Sequence, residues 1–218
     1  CEMAQAFKRL GSDVSLIQRS KHILSRGDQQ AAEILEETLR DEGINLLTGT
    51  LVDKIETIDG KLLVHTNQGK VVETERLLAA TGRAMKFDAL KLENAGIKYD
   101  AKGIKVNKYL QTSRKHIFAV GDCNGYYQFS HAAMHQGMIA LMNSMMPWPM
   151  KRNFLKFVVP STIFTEPQVS QVGMSEKQLK EKGIKFETHT VKYGDYGAAI
   201  AEEVKTGFVK AFVSSLGR

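Results

Sequence analysis

The chain has 218 residues, of which 43% are hydrophobic, 25% charged and four proline. That is enough apolar material for one large or two small globular domains, and it excludes a disordered or fibrous protein. The formal net charge is +6, but the basic residues stand singly: 10 Lys+Arg face 13 Asp+Glu in residues 1–82, 9 face 4 in 83–150, and 11 face 7 in 151–218. With no basic arm and no basic–aromatic interleaving, no nucleic-acid partner is expected; the charge suits a solvated surface or an anionic cofactor.

Glu2 to Leu10 reads as a helix with Met3, Ala6, Phe7 and Leu10 on one face and Gly11 as its stop, although nothing caps its start. Val14–Ile17 is a short buried strand. Asp28 is an N-cap for a second amphipathic helix that carries Ala31, Ile34, Leu35, Thr38 and Leu39 and ends near Gly43, before a strand at Ile44–Leu47. This spacing is a βαβ pattern without its first strand. Asp53–Ile58, Lys61–Thr66 and Lys70–Glu75 then alternate as a three-strand meander with turns at Asp59-Gly60 and Gln68-Gly69.

Arg76–Ala80 and His116–Val120 are apolar enough to be buried strands, the first ending at Thr81-Gly82-Arg83 and the second at Gly121-Asp122. Ala132 to about Met145 is a long helix. Its run of Met134, Met138, Met142 and Met145 is at helical spacing and reads as core or interface filling. Pro147, Pro149 and Pro160 mark a boundary, followed by a strand at Ser161–Phe164, a helix at Ser175–Lys182, and strands at Lys185–Tyr193 and Gly207–Val213. That last strand asks for a hairpin partner which no later residue supplies. The chain is therefore expected to be a segment of a longer protein. The apolar stretch at Met138–Met150 is interrupted by Asn143, Ser144, Pro147 and Pro149, so no membrane partner is expected. Two cysteines, Cys1 and Cys123, make no disulfide framework and point to a reducing, cytoplasmic setting.

Chemistry is best sought at Gly121-Asp122. In an open α/β sheet ligands sit beyond the carboxyl ends of strands, where Gly121 allows close backbone approach and Asp122 can accept hydrogen bonds from sugar-like hydroxyls. The helix that follows offers free N–H groups. Arg19 follows the Val14–Ile17 strand, within Gln18-Arg19-Ser20 and close to Lys21, His22 and Arg26, with no acid in reach. An acid at that position would bind a ribose 2′-hydroxyl, whereas arginine suits a 2′-phosphate, so NADP is expected ahead of NAD. His131 and His135 lie four apart on a helix, but no glutamate follows the first histidine as a metalloprotease would need, and no metal site is assigned.

Thr81-Gly82-Arg83, Ile117-Phe118-Ala119-Val120-Gly121-Asp122-Cys123 and Phe164-Thr165-Glu166-Pro167-Gln168-Val169 through Val172-Gly173 occur in that order. The set resembles the FAD-dependent pyridine nucleotide–disulfide oxidoreductases over essentially the whole chain. The fold the resemblance implies is α/β: partial Rossmann-like NAD(P)- and FAD-binding domains followed by the first part of an α+β dimerisation domain. The expected boundaries are 1–82 for the NAD(P) domain, 83–150 for the FAD segment and 151–218 for the start of the dimerisation domain.

The resemblance also implies roles for individual residues. Asp122, after Gly121, would bind the ribityl chain of FAD, and Ser130, His131 and Ala132 would open the helix that faces the flavin. Glu2 would stand near the nicotinamide, and Thr81 and Gly82 would form the crossover between nucleotide and flavin domains. The implied partners are a small-molecule or disulfide substrate and a second subunit in a homodimer of the complete protein. The family's Gly-x-Gly-x-x-Gly turn, Cys-x4-Cys pair and His–Glu pair do not occur in these 218 residues. No catalytic residue is therefore assigned, Cys123 is expected to be structural, and the chain alone is not expected to turn over. The alternative is a non-catalytic remnant that binds nucleotide and dimerises.

Overall fold

The computed structural model describes residues 1–25, 27–201, 203–204 and 206–214. The chain divides into two units, Cys1–Leu78 with the described part of Thr162–Arg218, and Ala79–Ser161. In the first, helix α1 (Glu2–Arg9) forms as the periodicity predicts but buries a different face. Met3, Phe7 and Leu10 are exposed, while Gln5 is buried and Cys1 and Ala4 pack against a core of Ile23, Ala32, Leu35, Leu39 and Ile44. The polar residue wins because its amide is fully used: Gln5 Nε2 donates to Glu42 Oε1 (2.9 Å) and Glu166 O (2.8 Å), and Gln5 Oε1 accepts from Glu166 N (2.8 Å).

Strand β1 (Ser15–Ile17) leads into α2 (Gln29–Asp41), whose N-cap Asp28 accepts the Ala31 N–H at 3.1 Å. The helix buries Ala32, Leu35, Glu36 and Leu39; of the predicted face, Leu35 and Leu39 are fully buried and Ala31, Ile34 and Thr38 half-buried, while Ala32 and Glu36 join them. It returns the chain to β2 (Asn45–Leu47), which pairs with β1 in parallel from Ser15↔Asn45 to Ile17↔Leu47. This is the expected β–α–β unit. Strands β3 (Val52–Ile58), β4 (Lys61–Thr66) and β5 (Val71–Thr74) make the expected antiparallel meander. Asp59 and Gly60 both adopt positive φ, 50° and 80°, which a two-residue hairpin turn requires.

The second unit departs most from expectation. Arg76–Ala80, which runs from the end of the first unit at Leu78 into the second, forms no strand; Leu77 and Leu78 are exposed, and among the described residues no strand pairs with this run. His116–Val120 is not a strand either. Its pairing stops at one bridge, Gln111↔Phe118, with Ala119 N donating to Leu110 O at 3.1 Å. An apolar run states a demand for burial, and Ala119 meets it at 5% exposure without a ladder. The regular elements here are the short hairpin of β6 (Tyr99–Asp100) and β7 (Gly103–Ile104), and helix α3 (Ser130–Met145), which starts two residues before its predicted position. The core of this unit is Phe87, Leu92, Ile97, Ile104 and Ala119, with a second cluster of Leu110, Ile139, Ala140 and Phe154. Met134, Met138 and Met145 point outward together with Leu141, so the methionine run is not core. Asn143 is wholly buried on the opposite face, where its amide bonds Tyr109 O, Arg152 O and Arg152 N.

The first unit is completed by β8 (Ser161–Ile163), whose first residue closes the second unit, and by β9 (Val169–Gln171), α4 (Glu176–Glu181), β10 (Phe186–Lys192), α5 (Gly197–Ala201) and β11 (Phe208–Ser214). A reciprocal capping box between Ser175 and Gln178 starts α4. Strand β11 is not unpaired, as the sequence suggested. It runs antiparallel to β10 from Phe186↔Ser214 to Lys192↔Phe208, so its partner comes earlier in the chain.

Glu42 joins the end of α2 to α1 through a two-pronged contact with Arg9, at 2.6 Å to Nη2 and 3.1 Å to Nε. The Arg9 hydrogen bond holds the Glu42 carboxyl below its usual range. A depressed carboxylate stabilises the fold above its unfolded pKa, about 4.3, and loses that contribution as pH falls through its lower folded value. Glu42→Gln should lower the melting temperature by about 2–4 °C at pH 7, as expected for about 1 kcal/mol, and by progressively less below pH 4. Thermal denaturation at the two pH values checks this.

Candidate cofactor-binding site

In the second unit, Gly121–Asn124 form a single 3-10 turn closed by Gly125, with Gly121 and Gly125 at φ +73° and +74°. The turn is held from two sides. From α3, Gln136 Oε1 accepts both the Gly121 N–H (2.8 Å) and the Asn124 Nδ2–H (2.6 Å), and Asn124 Nδ2 also donates to Ala119 O (3.1 Å). All of these groups are buried. From the β6–β7 hairpin, the backbone lies so close that a Cβ on Gly125 would stand 1.9 Å from Lys102 O, and one on Gly103 would stand 2.7 Å from the Asn124 carbonyl carbon. Gly121 abuts α3, where an added Cβ would stand 3.0 Å from Ala133 Cβ. Asp122 is thus carried on a turn whose backbone has little freedom, although that turn follows a bridged loop and not the predicted strand.

The Asp122 side chain is 45% exposed, and its Oδ2 lies 3.3 Å from Arg83 Nη1, itself 72% exposed. Such a solvated pair is worth little and yields readily to another partner. Arg83 follows Thr81 and Gly82, which lie in an exposed loop with Gly82 at φ +128°. Cys123 donates its thiol to Val120 O at 3.2 Å and packs beside the first cluster of this unit; burial raises its pKa, the behaviour of a structural thiol.

Helix α3 begins at Ser130 after Phe129, with no side chain capping it, so its first N–H groups are left for another acceptor. Ser130 and His131 are exposed and Ala132 is buried. The structure therefore brings Gly121 and Asp122 against the helix that carries Ser130, His131 and Ala132. His131 Nε2 lies 2.9 Å from Pro160 O and its ring stacks on Phe129, while His135 stacks on Phe157 at 3.7 Å between centroids. Among the described residues, no group of three His, Cys, Asp or Glu could hold a metal ion.

In the first unit, the β1–β2 pairing is continued by backbone bonds on both sides of Arg19. Gln18 N donates to Leu47 O (2.8 Å), Thr50 N to Gln18 O (3.0 Å) and Gly49 N to Ser20 O (2.8 Å). Arg19 and Lys21 are exposed beyond the carboxyl end of β1, His22 is half-buried, and Arg26 lies outside the described residues. Glu2, in the first turn of α1, accepts the Phe164 N–H at 2.7 Å, so its carboxylate is engaged within the first unit. Sequence reasoning missed Gln5, Asn124 and Gln136. For Gln136 the signal was present: a glutamine within the stripe of Ala132, Ile139, Ala140 and Asn143 must find partners indoors.

The sequence profile described as pyridine nucleotide-disulphide oxidoreductase matches residues 1–137, and that of the dimerisation domain of the same proteins matches residues 159–216. The chain belongs to the pyridine nucleotide–disulphide oxidoreductase family. It is 35% identical to a mercuric reductase of Staphylococcus aureus over 98% of this chain and 40% of that protein, and 30% identical to a dihydrolipoyl dehydrogenase of Bacillus subtilis over 96% and 45%. Among solved structures it is similar to the HOCl-induced flavoprotein disulfide reductase RclA from Escherichia coli, with a TM-score of 0.86 and 28% identity over 98% of this chain and 49% of that one. The chain thus spans less than half the length of these relatives. Family membership fixes the fold as α/β, with Rossmann-like FAD- and NAD(P)-binding parts and the start of a dimerisation domain. The cofactors of the family are FAD and a pyridine nucleotide. Among the described residues, no helix is long and apolar enough to cross a membrane.

The back-to-back glycines give a direct test of how tightly the Asp122 turn is set. Gly125→Ala adds a Cβ that overlaps Lys102 O at a positive φ, and should destabilise the protein by about 2 kcal/mol or more through overpacking and backbone strain. Gly137→Ala, with nothing within 4 Å of the added methyl group, should be neutral or slightly stabilising. Chemical denaturation of both variants checks the contrast.

Proposed function

We propose that the complete protein carrying this chain is a homodimeric, cytoplasmic flavoprotein that passes electrons from NADPH through FAD to a disulfide, a metal ion or another small acceptor. The observation that carries this reading is the Asp122 carboxylate, half-exposed on a buried, doubly braced turn beside an uncapped helix start. The donor set fits the ribityl and ring end of FAD. A carboxylate accepts hydroxyl hydrogen bonds, glycine admits close approach, and the helix start supplies N–H groups. FAD, when bound, takes a hydride from the nicotinamide and passes two electrons onward.

This chain's own residues bind and orient. Asp122 would exchange its weak contact with Arg83 for the ribityl hydroxyls, and the backbone at Ser130, His131 and Ala132 would face the flavin. Thr81 and Gly82 would carry the crossover between cofactor domains bounded at 82 and 83, with the dimerisation part beginning at 151. Arg19 would hold the 2′-phosphate as a charge-assisted pair, helped by Lys21, and Arg26 is proposed for the same loop. Glu2, anchored on the Phe164 N–H, would stand beside the nicotinamide. The chain holds no Cys-x4-Cys pair, so turnover is assigned to the complete protein and not to these 218 residues alone.

Two substitutions test the reading. Asp122→Ala in the complete protein should weaken FAD retention about tenfold or more, the worth of hydrogen bonds to a charged acceptor; undiminished flavin content after gel filtration defeats the flavin assignment. Arg19→Glu should lower kcat/KM for NADPH by about 10–100-fold while that for NADH holds or rises. An unchanged ratio between the two nucleotides removes Arg19 from the site. A complete protein that purifies colourless and does not oxidise NADPH would favour the non-catalytic remnant.

A further inference from the structure

Glu36 lies on α2, in the first unit, at 5% exposure. A buried carboxylate is retained only where its charge is met; here Arg40 of the same helix faces the charge, and the loop after β1 adds one backbone N–H. Glu36 Oε1 accepts the Ile23 N–H at 2.9 Å and lies 3.3 Å from His22 Nδ1; Oε2 is 3.4 Å from Arg40 Nη2, one helical turn on. Ile23, 1% exposed, is driven into the core formed by Leu35 and Leu39, and the following Leu24 takes a positive φ of 51°. The loop therefore dives into the core at Ile23, and the backbone N–H at the bottom of that dive has Glu36 as its partner. At its other end, Gln18 and Ser20 are tied to the β2 side by the bonds that continue the parallel ladder. Arg19 is exposed between the tied residues Gln18 and Ser20, and Lys21 is exposed on the stretch between Ser20 and the Ile23 anchor.

We infer that Glu36 is a positioning residue for nucleotide choice: by clamping the Ile23 N–H from below, it fixes the distal end of the short basic loop that presents Arg19 and Lys21 to an adenosine 2′-phosphate. This rests on the reading of that loop as the 2′-phosphate site. Glu36 does not touch the nucleotide. It sets the conformation in which the basic side chains are held, and a freed buried N–H would draw the loop towards solvent to satisfy itself. The consequence is selective, because NADH makes no use of a 2′-phosphate cradle.

The test uses the flavin-loaded complete protein with Glu36→Leu, which removes the acceptor, and Glu36→Gln, which keeps an oxygen for Ile23. Dissociation constants for NADPH and NADH and hydrogen exchange at the Ile23 amide are measured for each. Glu36→Leu should weaken NADPH about tenfold, leave NADH within about twofold, and speed Ile23 exchange at least about tenfold; Glu36→Gln should restore all three values. Should Glu36→Leu fail to fold, Glu36→Asp, which withdraws the carboxylate by one methylene, carries the same comparison. Equal weakening of both nucleotides, or unchanged NADPH binding with the Ile23 amide released, overturns the inference. Arg19→Glu measured alongside separates the two levels. If it leaves NADPH binding unchanged, the 2′-phosphate reading itself falls; if it weakens NADPH while Glu36→Leu does not, only the role of Glu36 falls.

Discussion

One amide oxygen carries much of the second unit. Gln136 Oε1, out of contact with water, takes hydrogen bonds from the Gly121 backbone and the Asn124 side chain at once, and so sews the short turn around Asp122 to the flank of α3. The oxygen is bonded twice, whereas Nε2 of the same buried amide has no hydrogen-bond partner among the described residues. Through its two bonds the oxygen fixes geometry more strictly than apolar packing would, since hydrogen bonds are directional and van der Waals contacts are not. The carboxylate next door is left half in solvent, in a loose contact with Arg83. A rigid backbone under a free acceptor is what a polyhydroxylated ligand needs.

The first unit solves a related problem with charge. Its parallel strand pair is only three residues long on each side, yet the loop beyond β1 is pinned at both ends, by backbone bonds to the region after β2 and by a buried carboxylate on α2. Gln5 plays a comparable part on α1, binding the Glu166 backbone in both directions. In each case a long polar side chain on a helix satisfies the main chain of a loop, and the loop thereby gains a defined shape without secondary structure of its own.

Local rules were legible in the sequence wherever the signal was itself local. Asp28 and Ser175 start helices because each offers an oxygen to an N–H three residues on, and Asp59-Gly60 turns because both residues tolerate positive φ. The three ordered motifs sufficed for the family and the fold class. The same methods failed at Arg76–Ala80 and His116–Val120, since a strand is defined by a neighbour and the residues within the run do not say whether one exists. They also chose the wrong face of α1 and did not foresee that Glu36 of α2 is buried. Periodicity marks which residues are apolar, but a buried Gln5 whose amide is bonded on both sides can displace apolar side chains from the inward side.

The caps, the turn chemistry and the motif containing Asp122 were determined by the sequence alone, because each depends on residues within a few positions of one another. The tertiary structure decided that β11 finds its partner in β10, that Arg83 reaches Asp122, and that Gln136 and Glu36 hold backbone 13 to 15 residues away. Those choices rest on directional hydrogen bonds and on close approach at glycine, whose energies depend on tenths of an ångström between groups that the linear chain keeps apart.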